Sequence, residues 1–208
     1  MIRRLMIRRL ALTASLALAS SSVFATTYTL EPDYTQGVFR WNHLGFSSPA
    51  AQFAQGQGTL EYDPSDPSHS SVEVTIPLST LNTGVPALDE DFRSTDFFDT
   101  PRFPTATFKS TRVVKDTAMN RLKVTGDLTL HGVTKTVILE VTVVKVGINP
   151  RTSLPTVGFD ATTTLKRSDF GLGRYVPQVS DEIQLHLTSQ GVDAQAYAEY
   201  LKAQAAKK

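Results

Sequence analysis

From Val38 to Thr188 apolar and polar residues alternate with a period of two, and this restricts the fold more than any other property of the chain. Phe39, Trp41 and His43 alternate with Val38, Arg40 and Asn42, and Val72, Val74 and Ile76 with Glu73 and Thr75. Leu122, Val124, Leu128 and Leu130 alternate with Lys123, Thr125, Asp127 and Thr129, and Val137, Leu139, Val141 and Val143 follow in the same way. Phe159, Ala161, Thr163 and Leu165 precede a last case, Ile183, Leu185 and Leu187 against Gln184, His186 and Thr188. Such alternation predicts antiparallel strands with one buried and one wet face. Turn-forming clusters separate them, notably "DPSDPSHS" at 63–70 and "GINPRTSLP" at 147–155. About eight strands in meander order can close into a barrel, which removes the unpaired edges of an open sheet. An open sandwich is the alternative.

The alternation fails between 78 and 104, where "LSTLNTGVPALDEDFRSTDFFDTPRFP" predicts short helical segments near 78–100. Ser94 and Asp96 are expected to cap such turns, and Pro101 and Pro104 to end them. Phe92, Phe97, Phe98 and Phe103 cluster in this stretch. They read either as a greasy lid or as core that plugs the barrel end. The C-terminal stretch 193–208 changes to helical spacing, with Ala194, Tyr197, Ala198 and Leu201 on one stripe. This tail is expected to dock on the outside, to fray, or to contact a second copy.

Residues 1–25 open with four arginines, continue through an apolar run from Leu10 to Ala19 and close on Val23-Phe24-Ala25. That is the pattern of a secretory signal peptide cleaved after Ala25, and it predicts a periplasmic or secreted protein. Residues 26–192 then form one barrel domain. Without Arg3, Arg4, Arg8 and Arg9, 17 of the 21 basic residues remain against 20 acidic ones, a net charge of −3. A mildly acidic chain with no basic stripe has no electrostatic grip on nucleic acid. With no cysteine, disulfides, thiolate metal sites and cysteine nucleophiles are all excluded.

The residues point to no catalytic or metal centre. In "GDLTLHGVTKTVIL", 126–139, His131-Gly132 fits a two-residue hairpin turn in which both positions need φ > 0. His131 is therefore expected to be an exposed turn residue needing no partner. His69 lies in a Pro/Ser loop and His186 on a polar strand phase, while only His43 shares a phase with aromatic residues. None has metal-ligand spacing. "GFSSP" at 45–49 lacks the second glycine of a nucleophile elbow. Asp89, Glu90 and Asp91 could form an acid/base pair, but adjacent acids on a polar loop read more readily as a solvated helix start.

Five stretches in order carry a resemblance: "HLGFSS", "STLNTG", "DFRSTDFFDTPRFPTATFKST", "GDLTLHGVTKTV" and "KRSDFGLGRYVPQVSDEIQL". Over roughly residues 27–190 the chain resembles the YceI-like family of bacterial periplasmic proteins. The resemblance implies an all-β, eight-stranded antiparallel lipocalin-like barrel whose elongated interior holds a polyisoprenoid chain, an isoprenoid quinone or a related amphiphile. It implies no catalytic residue and no cofactor beyond such a bound lipid, and it raises the expectation of a homodimer. The chain departs from the family pattern at Leu88-Asp89-Glu90-Asp91-Phe92, where Arg-Asp-x-His-Leu is expected, so no role of that Arg or His carries over.

Small barrels either fill their interior with side chains or enclose a ligand. Gly56, Gly58, Gly126, Gly158, Ala161 and Thr163 among large residues could leave room, or could serve bulges and twist. The candidate lining comes first from Phe39, Trp41, His43, Phe53, Val74 and Ile76. Phe92, Phe97, Phe98, Phe103 and Phe108 add aromatic surface. Leu122, Val124, Leu128, Leu130, Val137 and Leu139 come from the central strands, and Phe159, Phe170, Tyr175, Ile183 and Leu185 complete the set. At ~0.8 kcal/mol per CH₂, about 20 buried carbons nominally give ~16 kcal/mol, close to the practical ceiling for affinity. A head group then needs only weak contacts, for which Lys166, Arg167, Arg174 and Tyr175 are candidate donors. A pyrophosphate head would require a basic mouth; a quinone would not. The expected partner is thus a hydrophobic small molecule, with transient membrane contact allowed. The alternatives are a stress-response or adhesion protein with a solid interior, and an enzyme on prenyl lipids using His43 or the 89–91 cluster.

Overall fold

The computed structural model describes residues 25–206; the signal-peptide expectation falls on 1–25 and, apart from Ala25, lies outside them. Ten strands form one antiparallel sheet. They are β1 (Thr26–Leu30), β2 (Gln36–Arg40), β3 (Ala50–Phe53), β4 (Gln57–Tyr62), β5 (Ser71–Pro77), β6 (Thr105–Lys115), β7 (Arg121–Leu130), β8 (Val133–Ile148), β9 (Pro155–Lys166) and β10 (Glu182–Asp193). β1 pairs β4 while β2 pairs β3, and β10 pairs both β1 and β2. β1 and β2 follow one another alongside β10, and β3 and β4 follow one another alongside that pair, so β1–β2 and β3–β4 each act as one broken stave and the eight-stranded meander closes where β10 meets β1 and β2. The expected barrel is present and the open sandwich is not.

The interruption between β1 and β2 is a 3-10 turn at Pro32–Tyr34; Pro32 has no N–H to give to a ladder. Two bulges, at Ser110/Arg112 in β6 and Val143/Lys145 in β8, add the local twist that a small barrel needs. The β7–β8 hairpin turns on His131 and Gly132, with φ of 51° and 73°, and Leu130 faces Val133 across it. Both residues occupy the left-handed region, as the two-residue turn requires.

Burial is graded along the axis. At one end Leu122, Val124, Leu139, Val141 and Val157 are fully buried, together with Tyr28, Leu30, Leu60 and Tyr62. Toward the other end Leu128, Leu130, Leu165, Ile183, Leu185 and Leu187 keep the inward phase yet are only half-buried. Residues that point inward and still expose surface face a void.

Between β5 and β6 a 3-10 turn (Leu78–Thr80) and helix α1 (Pro86–Arg93) cross the mouth end. The helix begins earlier than the sequence suggests. Pro86 at its first position pre-sets the backbone, and Ser94 ends α1 instead of starting a turn, its Oγ donating to the Asp91 carbonyl. Helix α2 (Ala194–Ala205) starts at Asp193, whose carboxylate accepts the Ala196 N–H. Its docked side differs from the expected stripe: Ala194, Ala196, Tyr197 and Tyr200 are half-buried, whereas Ala198 and Leu201 face solvent. It packs on β1 and β10.

Candidate functional site

The interior holds two apolar chambers in series. A mouth chamber of about 500 Å³ is walled by Phe39, Trp41, Phe53, Phe92, Phe97 and Phe98, and by Leu130, Ile183 and Phe170. An inner chamber of about 180 Å³ is walled by Val74, Phe108, Leu122, Val124, Val137, Leu139 and Phe159. Ile76, Leu128, Leu165, Leu185 and Leu187 line both, forming an aliphatic belt at the junction. The mouth chamber alone lies in the range of small-molecule sites.

The mouth wall is aromatic because β2, β3 and the 78–104 segment meet there. Phe39 lies 5.6 Å from Trp41 and 5.3 Å from Phe53, and also contacts Phe92 and Phe98. Leu78 and Leu81 are fully buried beneath the segment and anchor it. The Phe92, Phe97 and Phe98 rings therefore serve as the chamber's own wall, against β2.

Every residue expected to line the interior borders one of the chambers except Phe103. Phe103 packs edge-on against the His131 ring at 4.8 Å, where a Cβ on Gly132 would clash with it. His131 is also not the free, exposed turn residue expected. It is half-buried, and its Nδ1–H donates to the Phe170 carbonyl at 3.0 Å, pinning the hairpin to the loop after β9. A turn residue gains a partner here because that loop folds back over it.

Of the expected polar donors at the mouth, the two arginines are committed elsewhere. Arg167 donates from Nε to the Ser180 carbonyl at 2.8 Å and from Nη2 to Val179 at 3.0 Å. Its Nη1 donates to the Leu172 and Arg174 carbonyls. Burial pushes its guanidinium pKa down and Asp181 counters part of that. Arg167 thus clamps the 172–180 loop. Arg174 pairs with Asp96 and lies over the Tyr175 ring. Lys166 borders neither chamber. The rim carries His43, Ser47, Asp91 and Tyr175, all exposed.

Glycine does not create the interior space as expected. A Cβ on Gly58 would lie 2.0 Å from the Glu73 carbonyl, one on Gly56 would meet Thr35, and one on Gly126 would meet the Phe108 ring. These gaps are filled by neighbours, and Gly158 borders no chamber; Ala161 and Thr163 do line the inner one. The lining that the sequence left unmarked includes Leu88, Leu172 and Val179, which sit in non-repeating segments. Leu165 and Leu187 carried the signal, being in phase with their strands.

The family model of the YceI-like domain matches residues 28–190. "Protein YceI" of Escherichia coli O157:H7 is 36% identical over 181 residues, which is 86% of this chain and 93% of that protein. A UPF0312 protein of Vibrio cholerae is 38% identical over 154 residues, 74% and 79% of the two chains. Among solved structures, BcnA of Burkholderia cenocepacia superposes with a TM-score of 0.67 at 25% identity, over 75% of this chain and 95% of that one. A polyisoprenoid binding domain from Saccharophagus degradans gives a TM-score of 0.62 at 16% identity, over 82% and 99%. At that identity the likeness is one of fold.

Proposed function

We propose that this chain, which belongs to the YceI-like family, carries the hydrocarbon tail of a polyisoprenoid or similar long-chain amphiphile along its barrel axis, in the periplasm or secreted. The observation that supports this most is the pair of predominantly apolar chambers joined at the Ile76–Leu128–Leu165–Leu185–Leu187 belt. A tail offers no hydrogen bonds, so its affinity comes from desolvation at ~0.8 kcal/mol per CH₂. The belt residues themselves are all aliphatic and supply only that. That the Saccharophagus degradans domain of the same fold is a polyisoprenoid binding domain is in line with this reading.

The head group is uncharged in this reading, as in a quinone or an alcohol. Arg167 is consumed by four carbonyls and Arg174 by Asp96, while Asp91 stands at the rim. A pyrophosphate would find no free cation among these groups and a carboxylate close by. The role is sequestration or transfer of the lipid, without catalysis.

Titration with prenols of increasing length, followed by Trp41 fluorescence, tests the proposal. Affinity should rise with each added isoprene unit. Leu185→Asp, which places a charge at the belt, should abolish it, while Ile138→Asp on the outer face should not. Affinity independent of length, or equal loss in both variants, would overturn the reading.

A further inference from the structure

Apolar side chains on the lip of the barrel are exposed in a way that the cavity does not explain. Between His43 and Ser47, which both border the mouth chamber, lies the turn Leu44-Gly45-Phe46. Phe46 is 91% exposed and Leu44 49%, and neither borders the chamber. Beside this turn the Arg167-clamped loop raises Tyr175, which is 54% exposed. The two loops are tied together, since the Leu44 N–H donates to the Gln178 carbonyl.

These tips are held out, not loose. The Gly45 N–H donates to the Asn42 side chain at 2.8 Å, the His43 N–H to Ser47 and the Phe46 N–H to His43. Leu44 and Tyr175 both have positive φ, at 56° and 65°, a conformation that neither residue favours. The fold accepts that strain and leaves Phe46 and Leu44 exposed outside the chamber, while the Tyr175 ring borders the mouth, 6.3 Å from Phe97, and is itself more than half exposed. Apolar side chains gathered on two tied loops, and not scattered singly, are the kind of exposed surface that marks an interaction site.

We infer that this lip is a membrane-docking surface, on which Leu44, Phe46 and Tyr175 enter the interfacial region of a bilayer and place the chamber mouth against the lipid. The inference rests on the carrier reading. A prenyl cargo dissolves in bilayers and not in water, so the opening must meet a bilayer to load or unload without exposing the tail. The apolar tips stand at that opening and not on the barrel's flank. Charge does not supply the attraction: Arg174 is neutralised by Asp96, and residues 26–208 carry a net charge of −3. The partner is therefore a bilayer bound through apolar insertion, with aromatic rings at the headgroup level, and not an anionic surface bound through lysine and arginine.

Flotation of the purified protein with phosphatidylcholine vesicles tests this, together with loading of radiolabelled farnesol from those vesicles and from solution. The protein should float with the vesicles equally at low and high salt. Phe46→Ser should lower vesicle binding about tenfold, the factor for losing a buried phenyl-sized group, and should slow loading from vesicles in proportion. Loading from solution should be unchanged, because Phe46 is outside the chamber wall. In Phe46→Trp, brominated lipid should quench the new tryptophan. No flotation, full binding by Phe46→Ser, or no quenching of Phe46→Trp would overturn the docking inference. Farnesol failing to bind from solution would instead overturn the carrier reading.

Discussion

The Nδ1–H of His131 reaches the Phe170 carbonyl and its ring edge meets Phe103, so its environment is structural on every side. His131→Ala removes a half-buried donor and is expected to destabilise the fold by about 1–3 kcal/mol. His131→Asn, which tolerates positive φ better than alanine, should lose less. Urea denaturation measures both, and prenol affinity should not change. Two carboxyl groups give opposite pH signatures. Asp63 accepts from the Ser65 hydroxyl and from the Ser65 and Asp66 N–H groups, which hold its pKa below the usual carboxylate range. Its stabilisation is therefore complete at neutral pH and is lost as pH falls below about 4 toward the depressed value. Burial, with Asp33 adding to it, pushes Glu31 up, and one of its oxygens has no hydrogen-bond partner. The folded state binds that proton more tightly, so this group adds stability below about 4 and loses it as pH rises through the raised value. Melting temperature against pH should fall less steeply on the acid side in Asp63→Asn. In Glu31→Gln it should decline less on the neutral side. Curves parallel to the parent's would contradict both assignments.

Among the elements, β2, β5 and β7 to β10 could be read from alternation because one face of each meets the interior and the other meets water. The breaks between β1 and β2 and between β3 and β4 could not. Each couple is joined in space by pairing with distant strands, β10 and β4 for one and β2 and β1 for the other. The 172–180 loop was equally hidden. Nothing in "KRSDFGLGRYVPQVS" says that Arg167 serves four backbone carbonyls and is not a free mouth cation. That contact depends on the chain returning to a point 5 to 13 residues away, with no periodicity to mark it. Arg167→Met should strand those carbonyls, lower stability by about 2 kcal/mol or more, and accelerate amide exchange across Leu172–Ser180. Unchanged exchange there would show that the clamp does not order the loop.

For the whole molecule, the barrel and most of its lining followed from pattern and resemblance, whereas the division of the interior into two chambers did not. The belt is made by residues of β5, β7, β9 and β10 that converge only in the closed form. It divides the interior by depth. Leu187→Trp should fill the junction and leave short prenols bound nearly as before, while long ones lose about tenfold or more. Length-resolved binding measurements would show that split, and a uniform loss would mean that the chambers are not used in series. The most direct test of the central claim is solvent extraction of the protein purified without detergent, followed by mass spectrometry of the extract. The account predicts a hydrophobic species with a long hydrocarbon tail and an uncharged head, in near-equimolar amount. Protein that yields no such species, and that takes up none when offered prenols, would contradict it.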